Sequence, residues 1–148
     1  MQTSPLLAML LVITAGAAIA LQSPLNAALG RHIGSSLGAA TVSFGIGFAL
    51  LLVVTIAYGH GDRLLESAHA PRILLTGGVL GAFLVWATLS SVTVLGVLTM
   101  SAVLILGQIA AALVIDHMGL FGVAPREVSL TRLLAAGLVA AGVVLSRY

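Results

Sequence analysis

From residue 73 to residue 115 the chain runs 43 positions without one Asp, Glu, Lys or Arg, and from residue 5 to residue 58 only Arg31 interrupts 54. A soluble helix or sheet keeps a polar face toward water. These runs have no such face. Only 7% of the chain is charged and 60% is hydrophobic, against about 25% charged residues in an ordinary soluble domain. The mean hydropathy is +1.22. The apolar side chains must face lipid as well as one another, so the first partner this sequence demands is a bilayer.

Lipid offers no partner to a backbone N–H or C=O, so each segment must satisfy its own. A transmembrane barrel would alternate polar and apolar residues in segments of about ten. The runs here are continuous, which predicts an all-α membrane protein. A span needs about 20 mostly apolar residues. Five stretches qualify, at about 5–26, 34–58, 72–89, 92–115 and 130–145, making residues 1–148 a single integral membrane domain. The first stretch also resembles the apolar core of a signal peptide. No Lys or Arg precedes it and the rest of the chain is equally apolar, so it is read as a retained span.

The charged residues sit between spans. His60 to Pro71 and Asp116 to Ser129 are polar loops, and Ser90 to Gly96 is a tight uncharged turn. All six basic residues are Arg. On a five-span reading Arg63, Arg72, Arg126 and Arg132 share the N-terminal side, and Arg31 and Arg147 lie opposite. The positive-inside rule then favours a cytoplasmic N-terminus. A bias of four against two is weak, so dual insertion stays open. Scattered single Arg residues form no nucleic-acid patch. There is no Cys, which excludes disulfides, thiolate metal sites and Cys nucleophiles. His32, His60 and His69 lack metal-ligand spacing with any other ligand, so neither a metal nor a cofactor is expected. No G-x-S-x-G, HExxH or P-loop with the right flanks is present (GSSLG at 34–38 lies between two apolar runs, with no strand before it), and the chain is not read as an enzyme.

Polar residues inside a bilayer are costly and suggest function. Gln22 and Asn26, four apart, share a helix face, and Pro24 between them would break or kink the helix and free nearby carbonyls. Two amides at a broken helix end could coordinate a solute. An ordinary helix end at the interface is an equal alternative. Gln108 lies mid-segment and should face protein or a cavity. Asp116, the only acid close to a span, could exchange a proton for substrate. The reading favoured for it is a loop cap or a pair with an interfacial Arg. His117 is of the residue type that changes charge nearest neutrality, although a lone loop histidine is more often simply solvated. Trp86, the only Trp, could stack on an organic cation, anchor at the interface or face lipid. Gly34 and Gly38 (with Gly30), and Gly77 with Gly81, form GxxxG steps that let helix backbones approach closely. Thr41–Gly45 and Gly137–Ala141 are similar small pairs.

The run GQIAAALVIDHMGLFG at 107–122, and IDHMGLFG within it above all, resembles the YdcZ-like proteins, small bacterial members of the drug/metabolite transporter superfamily. GGVLGAF at 77–83, the Gln22 and Asn26 pair and the closing RLLAAGLVAAGVVL at 132–145 fit as well, so the resemblance spans essentially the whole chain. One departure is SSVTVLG at 90–96, where the family tends to place a proline and a basic turn. The resemblance implies a five-transmembrane-helix bundle, half of an inverted-repeat transporter fold, in a bacterial inner membrane. It also implies an antiparallel homodimer or a paired homologue. An odd number of spans makes this workable, because an upside-down copy supplies the inverted repeat. The family is mostly described as exporters, and the resemblance supplies no substrate. The leading expectation is a secondary transporter of a small-molecule solute, with a midplane site at Gln22, Asn26, Trp86 and Gln108, and Asp116 and His117 as proton-coupling candidates. A non-transporting scaffold subunit and a passive channel are the alternatives.

Overall fold

The computed structural model describes residues 4–148, and every regular element among them is helical. The α-helices are α1 (Pro5–Ile33), α2 (Ser36–Ala57), α3 (Gly61–Glu66), α4 (Thr76–Met118) and α5 (Leu130–Leu145). Single 3-10 turns lie at Ser67–His69, Arg72–Leu75 and Leu120–Gly122. Three stretches, Pro5–Ile33, Ser36–Ala57 and Arg72–Met118, are long and apolar enough to cross a membrane, and α5 is a shorter apolar helix.

Serine starts three of these helices. Ser4, Ser35 and Ser129 each accept a hydrogen bond at Oγ from the backbone N–H three residues on, at Leu7, Gly38 and Arg132. Each satisfies one of the donors a helix start leaves over. Pro5 then occupies the first turn of α1, where its missing N–H costs nothing.

Two helix bounds depart from the sequence expectation. α1 does not stop near Asn26. It runs through Pro24 to Ile33 and ends at Gly34, whose φ of 71° is left-handed. Pro24 removes only the N–H that would serve the Ala20 carbonyl. Leaving the helix would strand several backbone groups where no water can serve them, so the helix continues. Gly34 and Ser35 alone then join α1 to α2. Both N–H groups bond back to the Gly30 carbonyl.

The second departure concerns the expected turn at 90–96. Helix continues through Ser90, Ser91 and Thr93, and only Gly96 leaves helical geometry, at φ 76° and ψ 165°. The hydroxyls do not pull the chain out of helix because they bond to their own preceding carbonyls: Thr88 to Val85, and Thr93 to Ser90. Gly96 divides the 43 residues of α4 into stretches of 20 and 22, each about 30 Å long, the thickness of a hydrocarbon core. The chain also falls into two compact units at this point, the first ending at Val94 and the second comprising Leu95–Tyr148.

Small residues make the tightest contacts of the first unit. A Cβ on Gly30 would lie 3.4 Å from the Ser36 Cα and 3.6 Å from the Ala39 Cβ, so α1 and α2 meet closely there. Ala27, Ala39 and Ala40 are buried alongside. Gly81 of α4 has the Phe44 ring of α2 against it, 3.4 Å from where its Cβ would stand. Large apolar side chains point outward instead: Leu6, Ile13, Ile46 and Leu50 are all more than 60% exposed. Close backbones within and greasy side chains without is how helices pack when lipid is the solvent. In the second unit, the Thr99 hydroxyl donates to the Ser146 carbonyl at 2.9 Å and ties the second half of α4 to the end of α5.

Candidate functional site

The polar residues of α1 converge on α2. Asn26 is buried, and its Nδ2 donates to Oγ of Ser43 at 3.1 Å. Ser43 in turn lines a cleft of about 230 Å³ with Gln22, Phe44, Gly47, Phe48, Leu51 and Val85. Its α2 residues, 43–51, straddle the middle of a 22-residue helix. The cleft therefore lies near the bilayer midplane if α2 spans the membrane. The Gln22 side chain makes no hydrogen bond among the described residues, and Gln22 is exposed on the cleft side of the pair. Aromatic and aliphatic walls with one amide and one hydroxyl suit a small organic molecule that is mostly apolar with a few polar atoms.

Ser43 is the residue that sequence reasoning missed. It sits in a Gly- and Ala-rich run where a serine looks like a packing residue. The signal was a polar group seven residues inside an apolar helix.

The remaining candidates are placed as follows. Trp86 is not among the residues lining the cleft. It is 43% exposed, and its ring centroid lies 6.1 Å from that of Phe83, tilted by 44°. Gly38 sits tightly under the Ile33 and Ser35 side chains, while Gly34 is the cap of α1 and Gly77 has open space around it. Gln108, Asp116 and His117 belong to the second unit. Gln108 and His117 are exposed and make no side-chain hydrogen bond among the described residues.

Asp116 ends up in an ion pair. Its Oδ2 accepts from Arg132 Nη2 at 2.5 Å, with the two side chains 24% and 30% exposed. Its carbonyl accepts from the Arg126 N–H at 2.7 Å. The residue thus ties the end of α4 to the following loop at Arg126 and to the first turn of α5 at Arg132. The other guanidinium nitrogen of Arg132, Nη1, is buried without a partner. The loop turns at Gly119, whose φ is 61°, and a Cβ there would stand 2.6 Å from Cγ of Pro125. Phe121 follows, also left-handed at φ 56°.

A second, larger cleft of about 490 Å³ opens at the α1–α2 turn, where Gly30, Arg31, Ser35 and Ser36 face Ser90 and Thr93 of α4. Among the described residues no group of three or more His, Asp or Glu could hold a metal ion.

No curated protein and no solved structure matches the chain. A family does: residues 7–145 match the model described as "Putative inner membrane exporter, YdcZ", and the chain, helical and with spans of bilayer length, belongs to the YdcZ family.

Proposed function

We propose that this protein is a secondary transporter that exports a small organic solute across the bacterial inner membrane, and that the solute is held in the cleft of Gln22, Ser43 and Gly47. The observation that carries this is the buried Asn26–Ser43 hydrogen bond beside an open cleft at the depth where α2 is half crossed. A polar pair at that depth is expensive unless something uses it. In this reading the two halves of α4 cross separately, giving five crossings with α1, α2 and α5. The N-terminus is cytoplasmic in the orientation the Arg bias favours, and outside in an inverted copy.

We further infer that the protein works as a pair, with an inverted second copy or a paired homologue. Gln108 supports this. It is the twelfth of the 22 residues that follow Gly96, hence near the midplane, yet it is exposed and its side chain has no hydrogen-bond partner among the described residues. An antiparallel pair brings like residues together only near the midplane, and there a Gln can bond across to its mate. The chain has no Cys, so Gln108→Cys would cross-link cleanly. Leu104→Cys paired with Ala112→Cys, one turn either side of Gln108 on the same face, would link in an antiparallel dimer, and Leu104→Cys with itself in a parallel one.

A thermal-shift screen of small cations, anions and metabolites on detergent-purified protein identifies the solute class. Flux of that solute into liposomes then separates a transporter from a scaffold, which gives none, and from a channel, which neither saturates nor couples. Asp116 enters as the coupling candidate: proton uptake by its carboxyl would release Arg132, and Asp116→Asn would then abolish pH-driven flux at normal expression.

A further inference from the structure

The cleft at the α1–α2 turn is built differently from the solute cleft and points to a different ligand. It presents one guanidinium, Arg31, and the hydroxyls of Ser35, Ser36, Ser90 and Thr93, and it has no carboxylate. Arg31 makes no ion pair among the described residues, where Asp116 with Arg132 is the pair formed. The nearest acids along the chain, Asp62 and Glu66, lie beyond the far end of α2, about 33 Å away by helix rise. Among the described residues the Ser36 and Ser90 hydroxyls have no hydrogen-bond partner, whereas the Ser35 Oγ is taken by the Gly38 N–H. The Gly30 carbonyl, which could otherwise have met the guanidinium, is already bonded to the N–H groups of Gly34 and Ser35.

Depth narrows the ligand. α1 is 29 residues long, about 43 Å, which matches the bilayer with its headgroup layers, about 40–45 Å. The last turn of α1 and the cleft beside it therefore stand at headgroup level. An arginine at a helix end commonly reaches for the interface. This one lies instead on the wall of a cavity large enough for a phosphate and the groups attached to it.

We propose that this cleft binds a phosphate-type oxyanion, with Arg31 supplying the charge and Ser36 and Ser90 the neutral donors. The shared chemistry is that of a lipid phosphodiester and of a soluble phosphate. Neither the solute cleft nor its transport role is required for it.

The test uses the full chain purified in a neutral maltoside detergent, with the melting temperature as readout. One arm titrates phosphatidylglycerol against diacylglycerol, which has the acyl chains but no phosphodiester. The other titrates inorganic phosphate against chloride at matched ionic strength. A saturable rise with phosphatidylglycerol alone assigns a lipid headgroup, and a rise with phosphate as well assigns a soluble anion. Arg31→Gln is expected to weaken half-saturation about tenfold, the loss of a charge-assisted hydrogen bond. Arg31→Lys should retain part of the effect, and Arg147→Gln, the same charge change elsewhere, should leave it intact. The double variant Ser36→Ala/Ser90→Ala keeps the charge and should still weaken binding several-fold. The proposal is overturned if neither phosphatidylglycerol nor phosphate gives a saturable rise, or if diacylglycerol acts as strongly as phosphatidylglycerol while phosphate does nothing. Equal weakening by Arg147→Gln and Arg31→Gln overturns it too, because net charge would then explain the response.

Discussion

Gly47 gives the sharpest test of the solute cleft, because it can be filled without disturbing the fold. It lines the cavity, and a Cβ placed on it meets no heavy atom within 4 Å. Gly47→Leu adds four carbons, roughly 120 Å³ at the 30 Å³ or so that a water molecule takes in the liquid. That is about half of a cleft of about 230 Å³. The helix itself gains: replacing an interior glycine with leucine is worth roughly 0.5–1 kcal/mol of propensity. Melting temperature should therefore hold or rise. A solute sharing the reduced space meets an overpacked site, at a cost of about 1–3 kcal/mol, which is about 5- to 150-fold in apparent affinity. Ala49→Leu is the control. It lies on the same helix two residues on, it is exposed, and it adds similar bulk toward lipid. The assay is saturation of liposome flux with the solute from the thermal-shift screen. If Gly47→Leu protein keeps the half-saturation and rate of the parent, the cleft is not on the path and the reasoning from its lining fails.

Three further outcomes are expected. A double-mutant cycle of Asn26→Leu and Ser43→Ala should give a coupling of about 0.6–1.7 kcal/mol, the range for hydrogen bonds between membrane helices. Additive losses in unfolding free energy would show that the 3.1 Å contact contributes nothing. Asp116→Asn should cost about 1–2 kcal/mol, between an exposed and a buried ion pair, because it strips Arg132 of its one carboxylate; parental pH-driven flux in the same protein would end the coupling role. Gly119→Ala should lower stability by about 2–4 kcal/mol, since it puts a Cβ at positive φ and against the Pro125 ring. A melting temperature equal to the parent's would mean the loop relaxes freely.

Why some of this was legible in the sequence and some was not comes down to where water is. The membrane class, the helices and the family follow from residues read in order: charge-free runs for the first two, IDHMGLFG for the third. Helix ends were less legible, because the usual stop signals are weaker in hydrocarbon. Pro24 and the amides around it look like an exit when a freed carbonyl can be hydrated. In a bilayer the exit costs more than one missing bond, and α1 runs on to the first residue that can turn left-handed without strain, Gly34. The same logic carries α4 past Ser90 and Thr93 to Gly96. Pairings across the chain were least legible of all. Asn26 is conspicuous as an amide in an apolar helix, but its partner Ser43 is 17 residues away and chosen by the two-residue turn between α1 and α2. Asp116 is conspicuous as the acid next to a span. That Arg132 answers it, rather than Arg126, depends on the left-handed turn at Gly119 and Phe121. In both cases a glycine with no chemistry of its own decides which polar groups meet. Substitutions at Gly34 and Gly119 should thus disturb the sites more than their distance from any charge suggests.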